Sequence, residues 1–134
     1  MRWTEENSVY LPELDEEHQT MFRLLQELRR AVVEGEEAAR LKLRAKHLAD
    51  EITSHFRHEE RMMREAQYPQ AEWHKRQHAT ARAQLAAMAD SIRSRDQASI
   101  FDSLEAVAKG IRDHINIADR MAGAFLRNHM RSLR

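Results

Sequence analysis

The chain has 134 residues, a length that predicts one domain with a core of its own. Its 22 basic and 22 acidic residues cancel, so the basic excess of a nucleic-acid-binding protein is missing, and the absence of Cys excludes disulfides, zinc–thiolate sites and iron–sulfur clusters. Only 3 Gly and 2 Pro argue against an all-β fold; with no long apolar run and no signal-like N-terminus, a cytoplasmic all-α protein without a membrane span is expected.

Residues 1–13 read as a short N-terminal arm anchored by Trp3, Val9, Tyr10 and Leu11, with Pro12 marking a turn before the first helix. Asp15 is an N-cap or first-turn acid. Leu14, His18, Met21, Phe22, Leu25, Leu28 and Val32 then recur at helical spacing, predicting a helix over about 15–34 with Gly35 at its stop. A second helix over about 37–66 carries Leu41, Ala45, Leu48, Ile52, Phe56, Met62 and Met63, and Tyr68-Pro69 ends it. The third, about 70–93, presents His74, His78, Ala81, Leu85, Met88 and Ile92 on one face. After the polar connection of residues 94–97, a fourth helix over about 97–131 carries Ile100, Leu104, Val107, Ile111, His114, Ile115, Ala118, Ala122 and Phe125. Four amphipathic helices with short loops predict an antiparallel up-down-up-down four-helix bundle, one domain over residues 1–134.

Seven polar residues lie on or beside these apolar stripes: His18, His55, Glu59, His74, His78, His114 and Asp119. The pairs His55/Glu59 and His74/His78 are spaced i, i+4, which stacks each pair on one helix face. Buried imidazoles and carboxylates are costly unless paired or bound to metal, and two facing carboxylates repel unless a cation lies between them. Five imidazoles and two carboxylates exceed the need of one ion and suit two, with Glu59 and Asp119 as a natural bridging pair. The spacing of His114 and Asp119 is i, i+5, so Asp119 is expected to approach from a different side. His47 and His58 share an off-stripe face and are expected to be solvent-exposed; His129 reads as a surface or capping residue, and the Met residues as core filler.

The segment from Trp3 to Val9, the LDEEH run ending at His18, HFRHEE from His55, Tyr68-Pro69, HKRQH from His74 to His78, and HINIAD from His114 to Asp119 together resemble the hemerythrin family, especially its single-domain bacterial members. The resemblance spans almost the whole chain. It implies a non-haem di-iron centre, oxo- or hydroxo-bridged. His74, His78 and His114 would hold one iron, His18 and His55 the other, and Glu59 and Asp119 would bridge them. The two-histidine iron would keep an open position for O2. The implied role is reversible O2 binding in storage, transport or sensing, the last with a separate redox or signalling partner.

The chain departs from many family members at Gly110, one turn before His114, where they have Trp, and at Ala81, one turn after His78, where they have an aromatic residue. Both lack bulk, and Gly110 also costs the helix on the order of 1 kcal/mol against Ala. A more open pocket is the expectation, with Trp73 pointing elsewhere. That openness supports an alternative, a di-iron enzyme acting on peroxide or nitric oxide; iron buffering is a third reading. No catalytic acid or base is recognisable beyond the seven residues. The absence of any Glu-x-x-His pair argues against a ferritin-like oxidase.

Overall fold

The first helix begins earlier than its apolar stripe requires because proline tolerates the first helical turn, where a backbone N–H has no partner anyway. In the computed structural model, which describes residues 2–133, α1 spans Pro12–Val33. Asp15 lies inside its first turn, where its carboxylate accepts the Val9 N–H at 2.8 Å and the Ser8 hydroxyl at 2.7 Å. Gly35 ends the helix at φ 72°, with its N–H on the Val32 carbonyl and that of Glu36 on Ala31. This paired closure uses the left-handed conformation that glycine adopts at least cost.

Helix α2 spans Ala38–Glu65, α3 spans Ala71–Ser94, and α4 spans Gln97–His114. A π-helical turn, Ile115–Asp119, follows α4 and leads straight into α5, Arg120–Ser132. The fourth predicted helix is therefore one rod with a wide turn in its middle. Helix α1 packs on α2, α2 on α3, α3 on α4, and α4 back on α1, closing a four-helix bundle. The short connections make successive helices antiparallel. No strand occurs among the described residues, and no helix among them is long and apolar enough to cross a membrane.

The core is continuous, with Leu14, Leu28, Leu48, Ile52, Phe56, Met88, Ile92, Leu104, Ile115 and Leu126 fully buried. The methionines divide: Met21, Met63 and Met88 fill the core as expected, whereas Met121 and Met130 are exposed. In the arm, Val9 and Leu11 are buried and Trp3 packs on the core, but Tyr10, at φ 70°, turns outward and anchors nothing.

The arm crosses the fourth rod beside the π turn. A Cβ on Gly123 would collide with the Val9 carbonyl, so only glycine allows this approach. Asn7 Nδ2 donates to Asn116 Oδ1 at 2.9 Å, and the Arg120 guanidinium donates to the Glu6 carbonyl. The arm thus grips the π turn at its second residue and just past its end.

Candidate metal centre

All four rods send polar side chains to one point in this core: His18 from α1, His55 and Glu59 from α2, His74 and His78 from α3, and His114 and Asp119 from the two ends of the π turn. Six of them are buried to within 2% of complete exclusion, and the His114 side chain is 8% exposed. Their donor atoms form two overlapping groups. One contains Glu59, His74, His78, His114 and Asp119; the other contains His18, His55, Glu59 and Asp119. Within each group the atoms lie within 4.8 Å of one another, and both carboxylates belong to both groups.

The π turn explains how Asp119 reaches this point. Five α-helical steps would carry its side chain about 140° around the axis from His114. A π turn spreads each turn over more residues by bonding i to i+5, which returns the fifth residue close to the starting face. His114 Nε2 consequently lies 2.8 Å from Asp119 Oδ1. The expectation that Asp119 approaches from another side is therefore wrong, because it assumed an unbroken α-helix.

Nitrogens and carboxylate oxygens meet closely: His18 Nε2 is 3.1 Å from Asp119 Oδ2, His74 Nε2 is 2.9 Å from Asp119 Oδ1, and His78 Nε2 is 3.0 Å from Glu59 Oε1. Glu59 Oε1 also contacts His74 Nε2. Yet both Asp119 oxygens, Glu59 Oε2 and His114 Nε2 are buried without a well-directed hydrogen bond. His18 Nε2 and His55 Nε2 face each other at 3.0 Å. Some of these pairs meet along hydrogen-bond directions, but the two Asp119 oxygens, Glu59 Oε2 and His114 Nε2 converge on the same space without doing so. Two ligands about 2.1 Å from one ion at right angles lie about 3 Å apart, so this spacing fits metal coordination. A mixed imidazole and carboxylate set suits iron, zinc, manganese or copper.

Without an ion, the charges interlock. Burial lowers the proton affinity of His74 and His114, but the adjoining Asp119 and Glu59 carboxylates outweigh it and raise the rings to about 9 and about 10. His55 rises well above its ordinary range for the same reason. Burial and mutual repulsion push the Glu59 carboxyl up, and the surrounding imidazoles reverse this and hold it well below the usual carboxylate range. Burial pushes the Asp119 carboxyl up, and His114, His18 and His55 more than reverse this and hold it well below the usual range.

Two carboxylates absent from the predicted set stand behind the rings. Glu17 Oε1 accepts from His55 Nδ1 at 2.6 Å, while its Oε2 accepts from His58 Nδ1 at 2.7 Å. Burial raises the Glu17 carboxyl, but the two histidines more than offset this and lower it. Glu60 Oε2 accepts from His78 Nδ1 at 2.8 Å. His58 is therefore not the exposed residue expected from its face; its side chain is 22% exposed and tied to Glu17. His47, at 62%, is exposed as expected. His129 sits half-buried in the last turn of α5.

Phe56 stacks on His78 with ring centres 3.9 Å apart. On the α3–α4 side, Gly110, Ala81 and Ala118 leave a pocket of about 290 Å³ that reaches His114. Gln84 and Trp73 also line it, and a Cβ on Gly110 would run into the Gln84 amide. Gln84 therefore takes up part of the space at Gly110, and Trp73 faces this pocket, contrary to expectation.

Residues 9–130 match the family model described as the Hemerythrin HHE cation binding domain. No curated protein matches the chain.

Proposed function

The chain belongs to the hemerythrin family through its HHE cation-binding domain, and from that premise we propose that the buried centre holds two iron ions and binds O2 reversibly. The observation that carries this reading is the pair of donor groups sharing Glu59 and Asp119. His74, His78 and His114 would hold one ion, His18 and His55 the other, and the two carboxylates both. When bound, two ferrous ions would supply the electrons that reversible O2 binding needs.

The protein's own contribution is charge balance and dryness. Two buried carboxylates offset part of the charge of two cations, and a core in which Phe56 and Ile115 are almost fully excluded from solvent limits water entry. The smaller donor group supplies two imidazoles against three, so the ion it would hold would have one coordination position more for a diatomic ligand. The test is the optical spectrum of anaerobically iron-loaded protein as air is admitted and removed. Charge-transfer bands that appear with air and vanish on deoxygenation support the reading. Irreversible oxidation contradicts it.

A second reading, turnover of peroxide or nitric oxide, is favoured by the pocket at Gly110 and Ala81 that reaches His114. Steady consumption of either substrate by the loaded protein would favour it over O2 carriage.

A further inference from the structure

We propose that Glu17 and Glu60 are positioning residues, one for each half of the centre, that fix the tautomer and donor strength of the imidazole they touch. The inference rests on the metal-centre reading above. An ionised carboxylate can only accept hydrogen bonds, so Nδ1 of His55 must donate to Glu17 and Nδ1 of His78 must donate to Glu60. With one proton fixed on Nδ1, Nε2 is the nitrogen whose lone pair an ion would take, displacing any proton held there. Nε2 points into the centre in both rings: His55 Nε2 is 3.3 Å from Glu59 Oε2, and His78 Nε2 is 3.0 Å from Glu59 Oε1.

The other three rings differ. Nδ1 of His18, His74 and His114 is buried with no hydrogen-bond partner. Each donor group therefore contains one carboxylate-backed imidazole: His55 among two, His78 among three. Glu17 acts on half of the imidazoles of its group and Glu60 on a third, so Glu17 has the greater leverage.

Chain position explains how both carboxylates arrive. Glu17 directly precedes His18, and Glu60 directly follows Glu59. One residue turns a helical side chain by about 100°, off the inward stripe and toward the neighbouring helix. Glu17 on α1 thus backs a ring on α2, and Glu60 on α2 backs a ring on α3. Both are anchored from outside. Glu17 is held by His58, and Glu60 lies 3.4 Å from the Arg82 guanidinium, itself 5.4 Å from the centre of Phe56. His78 is gripped on its edge by Glu60 and on its face by Phe56. Both carboxylates keep some solvent contact, at 33% and 21% exposure, while still touching buried rings.

A carboxylate on Nδ1–H makes Nε2 a stronger donor, and removing such a partner typically weakens metal binding by about 10–100-fold. The test is Co(II) binding to metal-free full-length protein, with chelator competition and the visible Co(II) spectrum as readouts. Glu17→Leu should weaken one of two binding steps by about 10–100-fold, the step that His18→Ala also weakens, and should alter the spectrum of that ion alone. Glu60→Leu should weaken the other step by less. Glu17→Gln, which keeps an acceptor without the charge, should fall between Leu and wild type, and it also carries the test if the Leu variant does not fold. Glu51→Gln, an exposed carboxylate beside His47, should change nothing. Unchanged affinities in both Glu variants, or equal loss at both steps in either, would overturn this inference while leaving the centre standing. A wild type that takes up no Co(II) would overturn the centre and this inference with it.

Discussion

Gly123→Ala sets two physical effects of opposite sign against each other. Gly123 lies in α5, where replacing glycine by alanine normally stabilises a helix by about 1 kcal/mol. Here the new methyl would strike the Val9 carbonyl, a backbone atom that cannot swing away as a side chain can. Overpacking of this kind costs about 1–3 kcal/mol. If the arm lifts instead, Val9 loses its burial, about 1.5–3 kcal/mol. The partly buried Asn7–Asn116 bond then adds about 0.5–1.5 kcal/mol. Set against the helical gain, the net loss is up to about 2 kcal/mol if the arm stays and about 1–3.5 kcal/mol if it lifts, at roughly 4 °C of melting temperature per kcal/mol for a chain of this size. Far-ultraviolet circular dichroism melts read it directly. Gly110→Ala is the contrast, since its Cβ meets only the end of a flexible Gln84 side chain and the helical gain should prevail. A Gly123→Ala protein that melts at or above wild type would refute the claim that the arm is locked onto the fourth rod.

Four further outcomes follow from the site. In the metal-free protein His74 and His114 titrate at about 9 and about 10, above the ordinary 6.5, so their pairing with Asp119 and Glu59 stabilises the fold fully below pH 6.5 and is lost as pH rises through 9 to 10. Melts of metal-free protein between pH 6.5 and 10 should show this decline, shallower in His114→Ala; equal slopes contradict it. Metal affinity should rise over the same interval, because each ion displaces those protons. Gly110→Trp must push Gln84 aside and fill the pocket that reaches His114, so autoxidation of the oxygenated protein, followed by stopped flow, should slow; an equal or faster rate contradicts a pocket-controlled rate. His18→Ala should lower iron content toward one ion per chain and abolish O2 binding, whereas His47→Ala, an exposed residue, should leave both unchanged.

The apolar stripes were legible because burial imposes helical spacing, as at Leu14–Met21–Leu25–Leu28 and Leu41–Leu48–Ile52–Phe56, and Gly35 and Tyr68-Pro69 marked real ends. The convergence of His18, His55, Glu59, His74, His78, His114 and Asp119 was legible for the same reason, since polar residues on core stripes must satisfy one another. The π turn was not. Nothing in the local composition of HINIAD distinguishes it from an α-helix, and only the need to aim Asp119 at the partners of His114 points to a change of pitch. Glu17, Glu60 and His58 were missed because they stand one residue off the inward face, where charged side chains usually meet water; their role depends on a ring on the adjacent helix. The outward turn of Tyr10 depends on a positive φ that its sequence context does not announce.

The most direct test of the shared-carboxylate centre is electron paramagnetic resonance on protein loaded with iron and fully oxidised, alongside its iron content. Two iron ions per chain with no ferric signal, because the spins couple through Glu59, Asp119 and a further bridge, is the predicted result. One iron per chain, or two giving isolated high-spin ferric signals, would contradict a centre in which both carboxylates serve both ions.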